Sequence, residues 1–215
     1  TPPSPEDPKA LEDLLLEKFG QEANPYHLPL FVFQNLPPIF MDKKGCLTAV
    51  TRYENEILDI APGHGRHCIG LAVDLGTTTV VAYLFDLKNG RPLAVEAEMN
   101  PQVKYGDGVI SRIGFCLKTP QGKSALSAQI RDCIDKLAAK ACKTANVSSR
   151  RIMDCVMVGN TAMHHLFLEL DPVFLSQAPY MPVTKKAIDL KARDVGLSFA
   201  PEAWIHWLPV KAGFV

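Results

Sequence analysis

No pair of the six cysteines (Cys46, Cys68, Cys116, Cys133, Cys142 and Cys155) stands at C-x-x-C spacing. Zinc and iron–sulfur frameworks present two ligands from one short loop, so their usual signature is missing. Cys133 and Cys142 fall inside an apolar helical pattern and read as small buried hydrophobes. Scattered thiols suit a reducing compartment, and the expected location is cytoplasmic. A charge excess is missing too: 23 Lys+Arg balance 23 Asp+Glu over 215 residues. Binders of nucleic acid or anionic membrane are normally basic, so neither is expected as a partner. Nowhere does the chain approach the roughly 18–20 unbroken apolar residues of a membrane helix. No internal repeat is present. Nor is there an initiator Met or a signal peptide: Thr1 leads into Pro2-Pro3-Ser4-Pro5, and Leu208–Val215 reads as an apolar strand entering a turn. Both ends set the expectation of a piece of a longer chain.

What is present is 47% apolar residue content, enough for a substantial core. Residues 1–62 read as a small α+β domain. Asp7-Pro8 offers a helix cap and a first-turn proline, Leu11, Leu14, Leu15 and Phe19 follow at helical spacing, and Gly20 closes the helix. The proline-rich stretch 25–40 stays unassigned. Residues 47–53 and 56–60 suggest a hairpin around Glu54-Asn55. Pro62-Gly63-His64-Gly65 then marks a boundary, with a second domain over 63–215.

In that second domain the spacing predicts strands over 69–73, 79–87 and 93–99, the last two joined through Asn89-Gly90. Helices are predicted over 108–117 and 124–144. An apolar strand over 152–158, broken at Asp154, enters a further helix, and 204–209 forms the last strand. The order is β-β-β-α-α-β-α-β. A doubly wound nucleotide fold puts a helix straight after its first strand. The order here suits instead an α/β domain with the mixed sheet of the ribonuclease-H-like subdomain of actin-like ATPases and sugar kinases.

Asp74-Leu75-Gly76-Thr77-Thr78-Thr79 joins the first two of those strands. A phosphate tail needs convergent donors and no bulky Cβ, which Gly76 and the threonines Thr77, Thr78 and Thr79 can supply. Asp74, at a strand end, can hold hydrated Mg²⁺ beside such a tail. The competing reading is a threonine-rich turn with a buried, hydrogen-bonded Asp. Asn100-Pro101-Gln102 and Tyr105-Gly106-Asp107-Gly108 follow the third strand. Asp107 caps the next helix, or Asp107 or Gln102 faces a γ-phosphate; the cap is the simpler reading. Gly159, Asn160 and Thr161 either cap a helix or line a ligand cleft beyond the strand ends.

Three look-alikes are set aside. Gly122-Lys123-Ser124 lacks the first glycine of a P-loop, since Leu117 stands there. Gly63-His64-Gly65 has Cys68 where a dinucleotide fingerprint needs its third glycine. His164 and His165 are adjacent on a helix and are expected to point apart, against joint metal binding.

The runs 70–80, 100–102, 106–112, 158–165 and 208–215 together resemble the reductive activators of corrinoid proteins. The likeness covers most of 56–215, and 1–60 is similar to that family's middle domain through weaker motifs. Gly108 departs from the family pattern and suggests a helix start shifted by one position. The resemblance implies that 63–215 is the first half of an actin-like ATPase domain. It implies ATP and Mg²⁺ as ligands, with Asp74 at the metal and Gly76, Thr77 and Thr78 on the phosphates. It implies a [2Fe–2S] cluster in the parent protein only, and a corrinoid (cobalamin-binding) protein as partner; a homodimer is left open. The implied activity is ATP-dependent return of Co(II) corrinoid proteins to Co(I) in anaerobic methyl transfer. Two rivals stand beside it: a small-molecule kinase or other ATPase of the actin-like superfamily, with Asp107 as its base, and a partner-binding fragment without nucleotide affinity.

Overall fold

Leu11, Leu14, Leu15 and Phe19 do line one side of a helix, α1, Leu11–Phe19. The structure, a computed structural model, describes residues 9–19, 26, 28–41, 46–53, 56–63 and 68–211. The expected cap at Asp7-Pro8 and the stop at Gly20 lie outside them. Two units divide the chain, Thr1–His67 and Cys68–Val215, so the division falls slightly beyond the boundary read at Pro62-Gly63.

In the first unit the proline-rich stretch forms a second helix, α2, Leu30–Met41, with Pro37 and Pro38 inside it. Interior prolines remove helical hydrogen bonds, so burial must hold this helix together. Val32, Leu36 and Ile39 supply that burial, packed with Leu15, Ile57 and Ile60. The last two come from an antiparallel hairpin of β1, Leu47–Arg52, and β2, Glu56–Pro62.

The second unit is built on six strands: β3 (Ile69–Leu75), β4 (Thr79–Asp86), β5 (Arg91–Met99), β6 (Ile152–Gly159), β7 (Ile188–Lys191) and β8 (Trp204–Trp207). Their order across the sheet is β5-β4-β3-β6-β8-β7. The pairs β3/β6 and β6/β8 are parallel and the rest antiparallel. Asp86 shapes the β4–β5 turn, accepting from the Lys88 N–H at 2.9 Å, and Gly90 takes the positive φ of 70° that the turn requires.

Three helices follow: α3 (Val109–Lys118), α4 (Gly122–Thr144) and α5 (Thr161–Phe167). Leu126, Ile130, Ile134, Leu137 and Ala141 of α4 share one stripe and are wholly buried. They pack with Leu71, Val73, Leu75, Val80, Ala82 and Leu84, alternate residues of β3 and β4 that point to one sheet face. Each such Leu or Ile contributes about 1.5–3 kcal/mol by leaving water.

Two readings of the strands need correction. Asp154 does not break β6: it pairs with Gly70 on one side and Trp204 on the other, and the register shifts between Ile69 and Gly70 absorb the irregularity. Strand β7 was not foreseen. It pairs antiparallel with β8, from Ile188 opposite Trp207 to Lys191 opposite Trp204.

Candidate functional site

Strands β3 and β6 run parallel with Leu75 opposite Gly159, so the loops that leave them emerge side by side. Both glycines are set by close backbone approach. A Cβ on Gly76 would lie 2.5 Å from the Thr79 carbonyl oxygen, and one on Gly159 would lie 2.9 Å from that of Leu75. Gly159→Ala is therefore expected to cost about 1–3 kcal/mol through forced backbone shifts. A urea unfolding curve checks this, and an unchanged midpoint would refute it.

The turn between β3 and β4 is held from behind. The Gly76 carbonyl accepts from Asn100 Nδ2 at 2.8 Å, the Thr77 carbonyl from Arg112 at 2.6 Å, and the Thr78 carbonyl from the Asn100 N–H at 2.8 Å. Asn100 and Arg112 are fully buried, so these carbonyls face the protein interior. In a planar trans peptide the next N–H points the opposite way. The Thr77 and Thr78 amides accordingly face outward, and neither donates within the described residues. The Thr77 hydroxyl accepts from Asn160 Nδ2 at 2.9 Å, which leaves its own proton available.

Asp74 lies beside this turn. Its side chain is exposed and makes no hydrogen bond or ion pair among the described residues. The alternative of a buried, hydrogen-bonded Asp is not what the fold contains. Thr78 and Thr79 are exposed as well. A free carboxylate in β3 and the outward amides and hydroxyl of the turn that follows it thus stand at the ends of two adjacent parallel strands. That donor set suits an anion accompanied by a hydrated hard cation.

Other expected site residues lie behind this surface. Gln102 is wholly buried: its Nε2 donates to the Leu126 carbonyl at 3.0 Å and its Oε1 accepts from Arg112 at 3.3 Å. It supports the wall and does not face a phosphate. Thr161 is buried and donates to the Lys211 carbonyl at 2.8 Å, while Asn160 caps α5 by accepting from the Met163 N–H at 2.9 Å. Asp107 is not the cap of α3. Gly108 occupies the cap position, and the Ser111 hydroxyl closes the end, accepting from the Gly108 N–H and donating to its carbonyl. The helix thus starts at Val109, one residue later than read. Asp107 is exposed and acts on Arg112 through space, opposing the drop in its pKa that burial causes.

Asn100 and Arg112 are the residues that reading by motif left without roles. Arg112 carried one signal: it shares the buried side of α3 with Ile113 and Cys116, where an arginine is out of place unless something holds it.

His164 and His165 do not point apart. Both are wholly buried, with their Nδ1 atoms 3.3 Å apart. His165 Nε2 accepts from the Val183 N–H at 2.9 Å, which assigns the proton to Nδ1, donating to the Thr161 carbonyl at 2.7 Å. His164 Nε2 has no hydrogen-bond partner among the described residues. Burial, reinforced by the His165 charge, pulls His164 down from 6.5 to about 4, and burial lowers His165 too. The unfolded chain therefore takes up protons below pH 6.5 that the fold refuses. Stability is expected to be full above pH 6.5 and to fall as the pH drops towards about 4. Unfolding midpoints compared at neutral pH and near pH 5 check this, and equal midpoints would refute it.

Among the described residues no group of three or more His, Cys, Asp or Glu side chains can hold a metal ion. Burial pushes the Cys116, Cys133 and Cys142 thiols up to about 11 and raises Cys155 further, which disfavours the thiolates a cluster needs. These cysteines do not fit an iron–sulfur centre. No described helix is long and apolar enough to cross a membrane.

Three antiparallel strands, β5, β4 and β3, extended in parallel by β6 and β8 and ended by the antiparallel edge strand β7, define the ribonuclease-H-like fold of the actin-like ATPases. Residues 69–215 match the sequence pattern of the RACo middle region, so that region falls on the second unit and not on residues 1–60, where a middle domain was expected, and the chain belongs to that family. It is 35% identical over 163 residues to the corrinoid activation enzyme RamQ of Eubacterium limosum, covering 75% of this chain and 28% of that protein. Among solved structures it resembles a reductive activator for corrinoid, iron-sulfur protein with a TM-score of 0.81 and 31% identity. That likeness covers 99% of this chain and 35% of the other. The chain thus spans about a third or less of the relatives it matches.

Proposed function

We propose that this chain carries one half of the nucleotide site of an ATP-dependent reductive activator that returns Co(II) corrinoid proteins to Co(I). On this reading residues 63–215 are the first half of an actin-like ATPase domain and 1–62 a separate small domain of the same protein. The observation that carries it is the free Asp74 carboxylate beside a turn whose carbonyls are pinned inward. Family membership and the two named relatives support the corrinoid half of the reading.

Asp74 would hold the water shell of Mg²⁺, the Thr77 and Thr78 amides and the Thr77 hydroxyl would take phosphate oxygens, and Asn160 would orient that hydroxyl. Mg²⁺ supplies charge neutralisation of the phosphates when bound. Reduction of Co(II) is unfavourable, so ATP must bind one conformational state better than the other to drive it. The electron would come from an iron–sulfur cluster elsewhere in the parent protein, working in the cytoplasm on anaerobic methyl-transfer systems.

The test mixes the full-length protein with its corrinoid protein and a low-potential reductant, with and without Mg-ATP, and follows Co(I) by absorbance. ATP-dependent Co(I) formation is expected. Co(I) yield indifferent to ATP would overturn the proposal.

A further inference from the structure

Arg112 is an anomaly within the core of the second unit. Its side chain is 0% exposed. Nε donates to the Gly106 carbonyl at 2.9 Å, one terminal nitrogen to Gln102 Oε1 at 3.3 Å and Met163 Sδ at 3.5 Å, and the other to the Thr77 carbonyl at 2.6 Å. Every one of these acceptors is neutral. Among the described residues no carboxylate bonds to the guanidinium, and Asp107 acts on it only through space from an exposed position.

A purely structural role accounts poorly for this arrangement. A buried charge without a bonded counter-charge is costly, and apolar side chains of similar volume serve a core at least as well. The guanidinium cannot shed its charge as a lysine would. Its position adds the missing sense. The shortest of its hydrogen bonds grips the Thr77 carbonyl, whose peptide presents the Thr78 N–H on its outward side. The positive charge therefore sits directly behind an amide that faces the proposed phosphate position. An anion in front of that peptide would neutralise the buried charge across it.

We propose that Arg112 is the positioning residue of the phosphate turn. It orients the Thr77–Thr78 peptide and supplies, from behind, the charge that selects a polyanionic nucleotide tail. The inference rests on the nucleotide reading above. It adds the element that makes affinity depend on phosphate charge and that couples the start of α3, through Gly106, to the turn.

The experiment measures Mg-ATP, Mg-ADP and adenosine binding to the full-length protein and to its Arg112→Met and Arg112→Lys variants, with unfolding midpoints recorded alongside. Losing one hydrogen bond to a charged group corresponds to roughly a tenfold to hundredfold weakening. Arg112→Met is expected to lose that much for Mg-ATP, less for Mg-ADP, and nothing for adenosine. Should that variant fail to fold, Arg112→Lys decides. It keeps the charge but not the planar fork, and Mg-ATP should weaken severalfold with adenosine unchanged. Equal losses for all three ligands, or unchanged Mg-ATP affinity, would overturn the role of Arg112 while leaving the nucleotide reading intact. A wild-type protein that fails to bind Mg-ATP would overturn both.

Discussion

On the proposed reading, Asp74→Asn is expected to lower ATP-driven corrinoid reduction in the full-length protein by up to about 100-fold while leaving its folding stability unchanged. The side chain is exposed and engages nothing among the described residues, so the fold does not depend on its charge. Surface substitutions of that kind usually move stability by less than about 0.5 kcal/mol. Asn keeps the shape of Asp and removes the one feature that a hydrated Mg²⁺ would use. Groups that orient metal-bound water typically account for roughly 10- to 100-fold in affinity or activity. The two measurements are the Co(I) absorbance after Mg-ATP addition and the urea midpoint. Undiminished ATP-dependent reduction would remove Asp74 from the metal. A large fall in the midpoint would instead make it a structural residue.

The parts of this fold that the sequence showed plainly are those specified within a few residues. The β3–β4 turn, the Asn89-Gly90 hairpin and the apolar stripe of α4 each carry their signal in a single window. Strand β7 was missed because an edge strand of four residues, Ile188–Lys191, needs few apolar positions and offers no periodicity to read. Helix α2 was missed because Pro37 and Pro38 argue locally against it, and burial of Val32, Leu36 and Ile39 overrides that propensity.

The candidate site divides in the same way. Asp74, at the end of β3, and Gly76 and Thr77 of the turn that follows stand within four positions and were read together. What holds them was not: Arg112 reaches Thr77 across 35 positions and Asn160 reaches it across 83. Pairings at such separations leave no trace in spacing. Gln102 and Thr161 looked like ligands for the same reason, since a polar residue near a loop gives no indication of which way it will turn. Both turned inward, to the Leu126 and Lys211 carbonyls.

By itself, the 215-residue chain is expected to bind Mg-ATP too weakly to detect at micromolar concentrations and not to hydrolyse it. On the proposed reading the nucleotide lies in a cleft between two halves, each supplying part of the contact set. On that reading this half would offer the Asp74 carboxylate, the Thr77 and Thr78 amides and the Thr77 hydroxyl to the phosphate and metal. The chain accounts for 28% and 35% of the relatives it matches, so most of their length lies outside it. With the second half absent, adenine and ribose lose a wall and the phosphates lose donors. Each hydrogen bond to a charged group contributes about 1.5–3 kcal/mol. Three missing contacts then weaken binding by roughly three to six decades, at a decade per 1.4 kcal/mol. Residual affinity would be millimolar or weaker, carried by charge attraction at the β3–β4 turn and suppressed by salt. Titration calorimetry of the isolated chain with Mg-ATP reads this directly. A micromolar isotherm would mean that this half holds the whole site, and the nucleotide would then have to be placed within 68–211 without a facing domain.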